Sequence, residues 1–162
     1  MKIFNIQVIS LTVAVIILQI FIPVVDFINL DIVADILIIF LTYMGFYYGR
    51  FYTIILGFIF GIIQDMITQI DLLGAMALSK SIIGYGLGAL ALYKNIWSVK
   101  YRLIFILLMY SFHFLIFYFF KFNGISIPLL ISIQIIVIHS VLSFLILLII
   151  DKTFFSNGVT SK

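Results

Sequence analysis

The stretch GFIFGIIQDM, residues 57–66, decides what kind of protein this is. Seven residues without charge lead into Gln64 and Asp65. Gly57, Gly61 and Asp65 recur at four-residue spacing, so on a helix they share one face. Small residues on a helix face let a neighbouring backbone come close. A carboxylate on that same apolar face must meet something polar. Both features belong to a helix packed inside a lipid-embedded bundle, where association depends on small residues and polar contacts.

The rest of the composition agrees. The chain has 162 residues, of which 65% are hydrophobic and 9% charged, with a mean hydropathy of +1.37. A soluble domain of this length has too little interior for so much apolar surface, which makes this an integral membrane protein. Cysteine is absent, which excludes disulfides, iron–sulfur clusters and thiol nucleophiles. Glutamate is also absent, and there are six aspartates. The net charge of +3 comes from basic residues that flank apolar segments. Membrane orientation explains that pattern better than nucleic-acid binding.

A membrane span needs roughly 20 apolar residues. Six segments approach that length: 3–25, 32–48, 51–70, 72–93, 103–120 and 126–150. The fold expected is therefore all-α, a polytopic bundle of about six transmembrane helices forming a single integral membrane domain over 1–162. The second segment is the shortest. The first is too long for a typical signal-peptide core and lacks a small-x-small cleavage site, so it reads as a retained helix. The connecting loops are short. The tail after Ile150, DKTFFSNGVTSK, is too small for a domain.

Lys and Arg set the orientation. With the N-terminus in the cytoplasm, Lys2, Arg50, Lys94, Lys100, Arg102, Lys152 and Lys162 all lie inside, and Lys121 alone lies in an outer loop. The inverse arrangement would put those seven outside. Both termini are therefore expected in the cytoplasm. Trp97, within YKNIWSVKYR, suits an interfacial anchor.

Three charges fall inside apolar segments: Asp35, Asp65 and Lys80. Each costs a few kcal/mol or more in a bilayer unless paired or hydrated. Lys80, Gly84 and Gly88 share a face of the fourth segment, as Gly57, Gly61 and Asp65 do in the third. An antiparallel hairpin of these two helices follows, with the four glycines in its contact. Asp65 is expected to meet Lys80 across it, with Asp35 at similar depth. Three uses of this polar cluster remain open: a structural ion pair, a ligand pocket open to the outside, or a patch for a partner helix. His113 and His139 lie in the fifth and sixth segments without further ligands at metal-binding spacing, and read as hydrogen-bonded packing residues. No P-loop and no acid–base dyad is present. Catalysis, cofactors and metals are not expected.

The ordered series through 34–90 resembles the central region of MreD, the bacterial rod-shape-determining membrane protein family. The resemblance rests on Asp35, the segment from Tyr43 to Arg50, Gly57-Phe58, Gly61, Gln64-Asp65, Leu72-Leu73-Gly74, Ser79-Lys80 and Gly84-Tyr85. Ala34 stands where such sequences commonly carry Pro. The resemblance implies a non-enzymatic scaffold or regulator of the peptidoglycan elongation machinery in the bacterial inner membrane. It implies partners too: a single-helix MreC-like protein, RodA, a class B penicillin-binding protein and MreB. The family is similar in fold to the substrate-binding S-components of energy-coupling-factor vitamin transporters, so a solute-binding role is the rival expectation. The outer loops DFINLD, TQIDLLG and KFNGIS are short and poor in polar residues and hold no Trp, which argues against a tight vitamin site.

Overall fold

The computed structural model describes residues 6–23, 25–27, 30–68, 72–123, 128–154 and 158–159. Apart from one small hairpin, the described elements are helical. The first helix, α1 (Ile6–Ile20), stops short of the predicted residue 25. Pro23 accounts for this, since it lacks a backbone N–H and disfavours helical geometry in the residue before it. The predicted loop DFINLD instead holds an antiparallel hairpin of β1 (Val25–Phe27) and β2 (Leu30–Ile32), with Asp26 opposite Asp31.

The next helix, α2 (Ile36–Tyr48), begins four residues later than predicted because Asp35 caps it. The Asp35 carboxylate accepts the Ile38 N–H at 3.1 Å, the standard use of Asp at this position. One residue, Gly49, then separates α2 from α3 (Arg50–Thr68). Gly49 has φ 81°, a left-handed value that glycine adopts without a steric penalty. The chain continues through α4 (Ala75–Leu87), the short α5 (Leu90–Tyr93), α6 (Val99–Lys121) and α7 (Leu129–Phe154).

This is a multi-pass helical membrane bundle. Four stretches are long and apolar enough to cross a bilayer: α3, α4 with α5, α6 and α7. The apolar helices α1 and α2 are shorter. At 1.5 Å per residue α2 measures about 20 Å, less than a hydrocarbon core of about 30 Å. It occupies the centre, however: every residue from 37 to 46 is buried, as expected of a helix that is apolar all round. Large apolar side chains of α1, α3, α6 and α7, among them Leu18, Phe58, Phe119 and Ile149, cover the outside.

The tightest packing joins α3 to α4. A Cβ built on Gly57 would lie 2.5 Å from the Lys80 carbonyl oxygen, and one on Gly84 would lie 2.7 Å from that of Thr53. A Cβ on Gly61 would collide with the Ala77 backbone, and one on Gly88 with the Arg50 backbone. All four glycines sit where the two backbones touch. Gly45 of α2 approaches α4 in the same way, with the Leu87 carbonyl oxygen 2.6 Å from its would-be Cβ.

These contacts fix the register. Residue 57 faces 80, 61 faces 77, 53 faces 84 and 50 faces 88. Lys80 therefore lies level with Gly57, eight residues from Asp65, or about 12 Å along the helix. The backbones of Asp65 and Lys80 are therefore offset, and the Lys80 ammonium pairs with Asp35 rather than with Asp65.

Candidate functional site

Toward the end of the bundle that carries the hairpin, the buried charges are held in two units, on the carboxylates of Asp35 and Asp65. The first centres on Asp35. One of its oxygens caps α2, and the other receives the Lys80 ammonium. His113 Nε2 on α6 lies 3.4 Å from that second oxygen. Asp35 is 2% exposed, and Lys80 and His113 are fully enclosed. Lys80 also passes 4.0 Å from the Met76 sulfur. A start of α2, the middle of α4 and the middle of α6 thus converge on one carboxylate.

The second unit is Asp65. Its carboxylate accepts the backbone N–H groups of Gly74 at 2.9 Å, Met76 at 3.1 Å and Ala77 at 3.2 Å. These are orphan donors of the first turn of α4, and the positive end of the helix favours an anion there. Gly74 makes the turn possible, with φ 104°. Gly74 has no side chain to act as a cap, and Asp65 supplies that function from α3. Among the described residues, the ion pair is Lys80–Asp35, and His113 Nε2 approaches the same carboxylate. The predicted Asp65–Lys80 pair is absent, because the register carries Asp65 to the start of α4 and Lys80 to the start of α2.

Other buried polar pairs were not legible as such. Thr42 and Tyr110 share a hydrogen bond of 2.8 Å between α2 and α6. Tyr118 on α6 bonds His139 Nδ1 on α7 at 2.6 Å, with the two rings stacked 11° from parallel. At the opposite end Tyr43 donates to Asp151 at 2.8 Å, and the Val159 N–H donates to the same oxygen at 2.9 Å. Asp151 is fully buried, although in the sequence it reads as part of a polar tail. Arg102 is buried there too, with its guanidinium 5.6 Å from the centre of the Phe46 ring. Trp97, read as an interfacial anchor, is half-buried and stacked on Tyr93 at 4.8 Å.

A cavity of about 360 Å³ opens at the hairpin end. Its polar lining is Gln19, Asp35, Gln64, Thr68, Tyr118, Lys121 and His139, and the remaining wall is mostly Ile and Phe. Gln19 is already bonded on both sides, donating to the Ala34 carbonyl at 3.1 Å and accepting the Ile36 N–H at 2.7 Å. It ties the end of α1 to the start of α2. Among the described residues no group of three or more His, Asp, Glu or Cys side chains could hold a metal ion. No family model, no curated protein and no solved structure matches this chain.

Proposed function

We propose that this chain is a non-enzymatic scaffold of the MreD type, a six-span protein of the bacterial cytoplasmic membrane. It would serve lateral wall synthesis beside a single-helix MreC-like partner, RodA, a class B penicillin-binding protein and MreB. In this reading α1 and α2 are the shorter first and second spans, with the bilayer and flanking side chains adjusting to them. The hairpin end faces outward and both termini face the cytoplasm. The described basic residues other than Lys80 and Lys121 gather at the opposite end, as the positive-inside rule requires.

One observation carries the reading. Three charged residues of the MreD-like series are used in internal contacts: Asp35 and Lys80 with each other, Asp65 with the α4 N-terminus. What the chain presents outward is helix surface, and a helix surface in lipid acts by binding other helices.

The second reading is a solute-binding subunit like the S-component of a vitamin transporter, favoured by the cavity at the hairpin end. Affinity purification from native membranes in mild detergent, with mass spectrometry of what co-purifies, separates the two. An MreC-like protein with wall-synthesis enzymes supports the scaffold. A pair of ATPases with a large membrane coupling subunit supports the solute binder and overturns the scaffold.

A further inference from the structure

We infer that the cavity at the hairpin end is a binding site for an anionic amphiphile, with the charged head beside Lys121 and His139 and the apolar chain along α1. The inference goes beyond the scaffold reading and does not depend on it, since it concerns what the purified chain alone retains.

Two unsatisfied atoms point to a polar ligand. Gln64 is 7% exposed and His139 3% exposed. Both side chains line the cavity. Gln64 Oε1 and His139 Nε2 have no hydrogen-bond partner, whereas buried polar atoms in folded proteins nearly always have one. His139 Nδ1 is bonded to the Tyr118 hydroxyl. When that hydroxyl donates, the ring proton sits on Nε2 and makes it a donor toward the cavity. Gln64 Oε1 would accept from a hydroxyl on the same head.

Charge selects the sign. Asp35 and Lys121 are the charged groups on the cavity lining among the described residues. Asp35 is matched by Lys80 behind it, which leaves Lys121 without a counter-charge among the described lining residues. Lys121 is the last residue of α6, at the rim, and its ammonium lies 5.7 Å from the ring centres of Phe117 and Tyr118. An anion at the rim meets this cation and the His139 N–H together.

The remaining wall suits a hydrocarbon chain. Ile16 and Ile20 of α1 and Ile63 and Ile67 of α3 all line the cavity. The α1 helix packs on α2 and has no comparable packing on α7, and it supplies Ile16, Gln19 and Ile20 to the cavity wall. An anionic head and an apolar chain are common to a bilayer lipid and a free fatty acid, and a hydroxyl for Gln64 Oε1 is present only on the lipid head.

The test uses the full chain purified in mild detergent and native mass spectrometry with three probes: dioleoyl phosphatidylglycerol, dioleoyl phosphatidylcholine and palmitate. Phosphatidylglycerol or palmitate should be retained at concentrations about tenfold lower than phosphatidylcholine, the advantage of a charge-assisted hydrogen bond over its loss. Retention of phosphatidylglycerol without palmitate assigns the ligand to the bilayer, and palmitate without phosphatidylglycerol assigns it to a free acid; either supports the site. Lys121→Gln should abolish the preference. Ile20→Trp should do so as well, by filling the cavity from a side chain that is half exposed and therefore neutral to folding. Lys152→Gln, at the opposite end, should leave the preference intact. Equal retention of all three probes overturns the inference. So does a preference that survives both cavity substitutions, or one that Lys152→Gln removes equally.

Discussion

Lys80 on α4 donates its ammonium to Asp35 at the start of α2, and neither side chain reaches the surface. The pair links α2, the central helix of the bundle, to α4, which packs most tightly against α3. His113 brings α6 to the same carboxylate. Such a unit is costly to desolvate, and its attraction repays that cost only while both partners are present. It therefore makes the arrangement of α2, α4 and α6 specific rather than simply adding stability.

Removing the cation should be severe. In Lys80→Leu, the Asp35 carboxylate stays buried beside an apolar side chain. Breaking a buried pair in this way costs about 3–5 kcal/mol. The expected result is a marked fall in folded yield and in the midpoint of thermal unfolding in detergent. Yield and midpoint equal to the parent would show that Asp35 does not depend on Lys80.

Asp65 should behave differently, because its partners are backbone amides. Asp65→Ala leaves the N–H groups of Gly74, Met76 and Ala77 without an acceptor. Loss of a cap costs about 0.5–2 kcal/mol, and the burial of this one puts it at the upper end. Hydrogen exchange should speed up at residues 74–77 and stay unchanged in the middle of α4. Uniform acceleration over the whole helix would contradict a local capping role.

The glycines should divide by what each one touches. Gly61→Ala drives a methyl group into the Ala77 backbone, which cannot move without parting α3 from α4. Overpacking of this kind costs about 1–3 kcal/mol, and sometimes more. Gly86→Ala meets only the side chain of Met109, a flexible group that can turn aside, and should cost little. Thermal unfolding of the two variants in parallel checks the contrast. Equal tolerance at both positions would mean that the helices are not in backbone contact at Gly61.

The sequence carries more of this fold than of its polar contacts. Helix spacing of Gly57 and Gly61, and of Gly84 and Gly88, suffices to read the α3–α4 hairpin, because close backbone approach demands small residues and little else. The partner of each charge is less legible. Pairing Asp65 with Lys80 assumes a register, and the register depends on how the turn after Thr68 is built. Gly74, with its positive φ, was the available signal: a glycine at a helix start whose own side chain cannot cap it. Asp35 gives its position away as a residue of N-cap type before an apolar helix, yet its bond to Lys80 joins segments 45 residues apart. The Asp151 contact with Tyr43 is more distant still, at 108 residues. No local pattern encodes either one. Pro23 does encode the early end of α1, and a span count by hydropathy alone passes over it.

The central claim is that the intramembrane charges hold the bundle together and leave its outer surface to act. A double-mutant cycle tests it most directly, with Asp35→Asn, Lys80→Met and the combined variant unfolded in the same detergent. Asn preserves a side-chain cap for α2, so the cycle isolates the charge pair. Each single change should destabilise strongly. The combined variant should recover much of the loss, with a coupling energy of about 1–3 kcal/mol. Strictly additive effects would mean that Asp35 and Lys80 act independently, and the account of a bundle locked by this pair would be wrong.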